Sequence, residues 1–231
     1  GDMSGIEIKR LDANLNGMLL AASGKVGLDG DNTSVSAQAS VQNVASENVK
    51  LFWPPSLSPM SREWVLENIS EGEVPQATAQ IDIKPGDLAK PVLPREAINA
   101  LITLRKGTIR YLPGHAPVKA VDAVIHIDGV SLGADISAAH YMNATKLSGG
   151  KLSIADLNAD NPRIELGFSA TAPAQDAVAI LRLPRLNQAE QLALRDGIKG
   201  SVAADVGLSF DFFTPRDEQG NPTGEDNIVY D

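Results

Sequence analysis

The side chains best equipped for chemistry are the three histidines, His115, His126 and His140, and the carboxylates near them. Imidazole ligates metal or carries protons when partners stand at fixed offsets such as His-x-Glu or His-x-x-x-His, and none of the three has one. His126 alternates with Asp122 and Asp128, so a strand would place all three on one face, opposite Val121, Ala123, Ile125 and Ile127. A solvated polar face accounts for that better than a metal or acid–base site. Gly149-Gly150-Lys151 lacks the spacing of a P-loop and reads as a turn between strands. Asp82, Asp122, Asp128 and Asp135 belong to a set of 29 acidic residues, too many for any pair to signal hydrolysis. The sequence therefore assigns no catalytic residue, no metal ligand and no cofactor, and function has to be sought in the elements.

Those elements are mostly strands. Gly-x-aliphatic signatures recur at Gly24-Lys25-Val26, Gly72-Glu73-Val74, Gly107-Thr108-Ile109, Gly150-Lys151-Leu152 and Gly200-Ser201-Val202, each read as a turn glycine releasing an amphipathic strand. Alternation predicts strands over 6–15, 20–28 and 35–41, joined by the hairpin signals Asn16-Gly17 and Asp29-Gly30-Asp31-Asn32. Phe52-Trp53-Pro54-Pro55 breaks the pattern, and Ser58-Pro59 opens a helix whose Met60, Trp64, Val65 and Ile69 share a side. Strands resume at 74–84, 98–104, 108–112, 121–127, 132–142, 151–157 and 164–170. Helical spacing follows at 173–183 and, with Glu190 closing a capping box, from Asn187 to Gly197. The longest alternating run carries Val202, Ala204, Val206, Leu208, Phe210 and Phe212.

The fold predicted from this is mainly β (α+β): a large twisted, curved antiparallel sheet with two or three short helices, open as a groove or taco-like. Residues 1–213 form one elongated β-rich segment with weak repeats around 60–83 and 187–210, and 214–231 a polar tail or truncated connection. A length of 231 residues, 43% of them hydrophobic, suffices for a core. A net charge of −9 disfavours nucleic acid and anionic membrane surfaces, so affinity for lipid would be apolar. There is no cysteine, which excludes structural disulfides, and no run approaches the roughly 20 apolar residues of a membrane span.

Several landmarks stand in order: Trp53-Pro54; Arg62, Trp64, Val65, Asn68, Ile69, Gly72 and Val74; Tyr111-Leu112-Pro113-Gly114 with Pro117, Val118, Val121 and Asp122; and Ser148-Gly149-Gly150. This ordered set resembles the AsmA-like family, in its YhdP-like branch of uncharacterised domains, over residues 6–213. The resemblance implies a fragment of a bacterial envelope protein, periplasmic and held in the inner membrane by an upstream anchor. It also implies kinship with bridge-like lipid-transfer proteins, whose curled sheets shelter acyl chains, and brings no catalytic residues with it.

The expected function is thus a non-enzymatic segment that binds or conducts phospholipid along an apolar β groove for outer-membrane homeostasis. Ile81, Ile83, Ile125, Ile127, Ile136, Ile164, Leu166, Val206 and Leu208 are the candidate lining, and phospholipid acyl chains and the remaining segments of the same longer chain the expected partners. Small residues such as Ala77, Ala79, Ala134, Ala138 and Ala204 would keep that face smooth. One rival is a structural or assembly module of the envelope with its sheet face covered by protein. The other is a β-rich hydrolase, which would need a pocket joining a histidine to carboxylates from distant strands.

Overall fold

The computed structural model describes residues 5–51, 59–90, 94–111, 115–157, 159, 161–183, 197–213 and 227–230. They build one large open antiparallel sheet, mainly β in class and not closed into a barrel, with two short α-helices. The strands are β1 (Gly5–Leu15), β2 (Met18–Gly27), β3 (Ser34–Ala45), the two-residue β4 (Ile69–Ser70), β5 (Glu73–Ile83), β6 (Ile98–Ile109), β7 (Val118–Asp128), β8 (Ser131–Tyr141), β9 (Thr145–Ile154), β10 (Arg163–Pro173), β11 (Ser201–Phe213) and β12 (Asn227–Tyr230). Apart from β4, which pairs with β6, every strand lies beside its neighbour in sequence, so the sheet is a continuous meander from β1 to β12. Short connections and period-two alternation favour this pairing, because consecutive antiparallel strands close with little loop entropy. At about 4.8 Å between strands, it extends on the order of 50 Å across its strands.

The strands bend at one level. Asn43 of β3, at φ 57°, stands opposite Pro75 of β5. Val74 and Pro75 together oppose the single residue Leu104 of β6. Arg105 and Lys106, the latter at φ 54°, oppose Asp122 of β7. Ser137 of β8 is inserted between the partners of Asp122 and Ala123, and Gly149 and Gly150 of β9 oppose Phe168 of β10. β3 keeps one-to-one register with β5 at Asn43, and each of the others is a β-bulge, which kinks its strand and re-phases the alternation; Pro75 sits where a missing N–H does no harm. Adjacent bulges line up into a crease running from β5 to β9, with the left-handed Asn43 of β3 at its end.

The buried core gathers along this crease. Val44 (1% exposed), Val74, Leu104 (3% exposed), Val121, Ala123 and Ala139 form one cluster, with Met18, Val49, Val118 and Leu147 packed on it. Leaving water stabilises by roughly 1.5–3 kcal/mol for each Val or Leu in it. Both helices lie at the same strand ends as the short side of the crease. Helix α1 (Pro59–Asn68) contacts β4 and the 3-10 turn Ser46–Leu51, with Trp64 half-buried. Helix α2 (Ala174–Leu181) contacts β10 and β11 and is tied to the β8–β9 turn, where the buried Asp176 carboxylate accepts the Ala144 N–H at 2.9 Å.

Several expectations are corrected. Gly24, Gly107 and Gly150 lie inside strands, and Gly149-Gly150 is a bulge within β9. Segments expected at 98–104 and 108–112 are one strand through residue 109, because Lys106 and Gly107 continue the ladder past the bulge. β9 starts at Thr145, ahead of the expected 151, and Ile69 belongs to β4 instead of the helix. Within the expected polar tail, 227–230 pair with β11. Trp53, Ser58 and the helix expected from Asn187 lie outside the described residues.

Candidate functional site

Residues directly opposite in an antiparallel ladder share a face, so the register locates every candidate lining position. Ile81 stands between Ala37 and Ile98, and Ile83 opposite Val35. Ile125 stands between Ile102 and Ala134, Ile127 between Ala100 and Leu132, and Ile136 between Ala123 and Gly150. Ile164 stands between Ile154 and Phe210, Leu166 between Leu152 and Leu208, and Val206 opposite Phe168. All fall on the face that carries the buried cluster, on the long side of the crease. All are half-buried except Leu208, which is exposed.

Followed strand by strand from β1 to β11, the long side of this face carries only Ile, Leu, Val, Ala, Met, Phe and Gly among the described residues. Exposure is highest toward β1, where Ile6 and Ile8 are each 49% accessible. Within the face, Ala22, Ala39, Ala79 and Ala100 pair in one row across β2, β3, β5 and β6. Leu20, Val41, Ala77 and Ile102 border the row on one side, and Gly24, Ala37, Ile81 and Ile98 on the other. Four methyl groups in register make a low strip about 14 Å long running across the strands, overtopped by Leu20 and Val41 over β2 and β3 and by Ile81, Ile98 and Ile102 over β5 and β6.

The opposite face is polar and open. A surface depression there is bordered by His126, Asp135, Lys151 and Glu165 over a floor of Gly133, Gly167 and Gly207. His126 Nε2 lies 3.3 Å from Asp135 Oδ2, with both side chains at least half exposed. The depression thus joins a histidine to carboxylates of separate strands, but acid–base chemistry needs a reacting group hydrogen-bonded to the imidazole, and Asp135 is its one side-chain partner among the described residues.

One hydroxyl motif escaped the sequence reading: Gly129-Val130-Ser131-Leu132-Gly133 has the Gly-x-Ser-x-Gly spacing of a nucleophile elbow. Such an elbow requires a strand-to-helix turn, whereas Ser131 opens β8 in a strand-to-strand hairpin and donates to the Asp128 carbonyl at 2.8 Å.

Several of the other charges serve the backbone or neighbouring side chains. Asp128 pairs with Arg95 at 2.6 Å, and the Asp122 carboxylate accepts the Lys106 N–H at 2.9 Å. His115 stacks on Tyr111, whose hydroxyl is 3.2 Å from that of Tyr141, while His140 is exposed beside Lys119 and Lys146. Asp87 is buried, and the ammonium of Lys90 together with the N–H of Lys84 holds its carboxyl below the usual range. No His/Cys/Asp/Glu group suited to a metal ion occurs among the described residues, and no helix among them is long and apolar enough to cross a membrane.

No protein-family model, no curated protein and no solved structure matches this chain.

Proposed function

We propose that this chain shelters hydrocarbon, binding or conducting phospholipid acyl chains along its apolar sheet face as a periplasmic segment of an AsmA-like envelope protein. The observation that carries the reading is one face, continuous over the meander, with no polar side chain on its long side among the described residues and with its aliphatic residues half-buried or exposed. An acyl chain costs about 0.8 kcal/mol per CH₂ in water, so a sixteen-carbon tail left unsheltered costs on the order of 12 kcal/mol. Half-covered Ile, Leu and Val carry the matching penalty, and laying one on the other removes both. The row Ala22, Ala39, Ala79 and Ala100 suits a single chain lying across the strands, since methyl groups leave room that the bordering leucine and isoleucines do not. The contribution of the face is desolvation, with no bond made or broken.

The test is direct. Protein purified from membrane-containing cells is extracted and the extract analysed by mass spectrometry, and a photoreactive residue at Ile125 or Val206 is crosslinked in the same preparation. Glycerophospholipid in the extract and lipid adducts at both positions are expected. An extract without lipid, together with silent crosslinkers, rejects the reading in favour of a structural module. That alternative draws on β1, an open strand edge presenting Ile6, Ile8, Leu11 and Leu15. Its bulge and its exposed Arg10–Asp12 pair are, however, features that discourage strand addition.

A further inference from the structure

We infer that the crease is the element that sets the depth of the apolar trough, and that Asp122 is its positioning residue. The inference deepens the hydrocarbon-sheltering reading and rests on it for its binding consequence, though not for its structural one. A single bulge bends one strand; bulges at the same level in β5, β6, β8 and β9, with one in β7 a step away, bend the sheet along a line. The residues most removed from water, Val44, Val74, Leu104 and Val121, lie at that line or just beyond it. The apolar face is therefore on the inside of the bend. On the far side of the line the face is filled by the protein itself; on the near side it is open.

The crease has a fastening on its outer, polar side. Lys106, at φ 54°, donates its N–H to Asp122 Oδ1 at 2.9 Å. The hydroxyl of Ser137, the inserted residue of β8, donates to the Asp122 carbonyl at 3.2 Å. One residue of β7 thus ties the bulges of its two neighbours, β6 and β8, together. Ala120 of β7, at φ 49°, adds a second insertion one step away, so β7 is the most distorted strand of the crease. The β4–β5 turn is lodged against the same place: a Cβ on Gly72 would meet Gly107 N at 2.7 Å. Without the Asp122 carboxylate the Lys106 N–H loses this charged acceptor, and the bend loses the one side-chain tie between β6 and β7 among the described residues.

The experiment compares the full chain with Asp122→Ala and Asp122→Asn. The asparagine keeps an Oδ1 acceptor and drops only the charge. The chain has no cysteine, so spin labels can be placed cleanly at Lys119→Cys, short of the crease on β7, and Asn99→Cys, on the open part of β6. For Asp122→Ala the expected results are a shifted, broader label distance and exchange of the Lys106 amide faster by about tenfold or more, the factor for losing a charge-assisted hydrogen bond. Asp122→Asn should restore most of both. Affinity for a graded series of saturated fatty acids should fall in Asp122→Ala and recover in Asp122→Asn. If Asp122→Ala does not fold, Ser137→Ala, which removes only the hydroxyl tie, should move the label distance in the same direction by less. Unchanged label distances with unchanged Lys106 exchange overturn the inference. Fatty acids that fail to bind even the unaltered chain overturn the sheltering reading, while exchange and label distances still decide the crease.

Discussion

Ala120 holds a conformation that its side chain disfavours. At φ 49° it occupies the left-handed region in the interior of β7, where a Cβ costs roughly 1–2 kcal/mol and glycine costs nothing. Ala120→Gly should therefore stabilise the fold, by about 1 kcal/mol after the added entropy of the unfolded chain is subtracted. For a chain of this size that raises Tm by roughly 2–4 °C, readable by calorimetry. Asp87 supports a prediction in pH. Its carboxyl is held below the ordinary value by the Lys90 ammonium and the Lys84 N–H, so the folded state binds its proton less tightly than the unfolded chain. Its contribution is then complete above the unfolded pKa of about 3.9 and is lost as pH falls through the lower folded value. Asp87→Asn should flatten the acid limb of a plot of urea midpoint against pH and leave the plot's shape near neutrality unchanged.

Among the elements, the turn before β5 is the most sensitive to a single methyl group. Gly72 combines φ 74° with a position against the β6 bulge, so Gly72→Ala should cost at least about 2 kcal/mol by denaturant unfolding. Gly207 is the control: it lies in β11, and nothing stands within 4 Å of where its Cβ would be, so Gly207→Ala should be neutral or slightly stabilising. The contrast between these glycines also marks what the sequence discloses. Alternation located the strands, because Val35, Ala37, Ala39 and Val41 repeat with the period of a pleated backbone whatever their neighbours are. It does not tell a glycine in a turn from one in a bulge or just past one, since all interrupt the same pattern; Gly150 lies in a bulge and Gly107 pairs with Val121 directly after one. The crease left a trace in the sequence as a phase slip. Ile83, Ile81, Ala79 and Ala77 keep odd numbers while Val74 falls on an even one, and Val121 and Ala123 are followed backward by Val118. One such slip is noise, and only the pairing of strands reveals that the slips are aligned. The polar tether at Asp122 was equally hidden, because a carboxylate serving a backbone N–H looks like any other surface carboxylate.

At the scale of the whole molecule, the question is whether one sheet face can be core at one end and binding surface at the other. Burial divides it that way: Leu104 is 3% exposed at the crease, whereas Ile125, on the same face in the neighbouring strand, is only half-buried. An aspartate at Leu104 would have to be desolvated inside the cluster, at a cost of several kcal/mol, or would break it open, so Leu104→Asp should abolish cooperative unfolding. An aspartate at Ile125 can keep its carboxylate in water, so Ile125→Asp should fold, with a Tm lowered by a few degrees and near-native circular dichroism. What it should lose is the hydrocarbon. A charge in the middle of a face that offers no polar partner makes an alkyl chain bind next to an ion it cannot solvate, and phospholipid recovered from the purified variant should drop severalfold or more. If Ile125→Asp unfolds as Leu104→Asp does, the long side of the face is core as well, the whole sheet is packing, and the chain is an assembly module. If it folds and still carries lipid, the acyl chain lies elsewhere. Folding with loss of lipid is the combination that a trough, part filled by its own protein and part left for a ligand, requires.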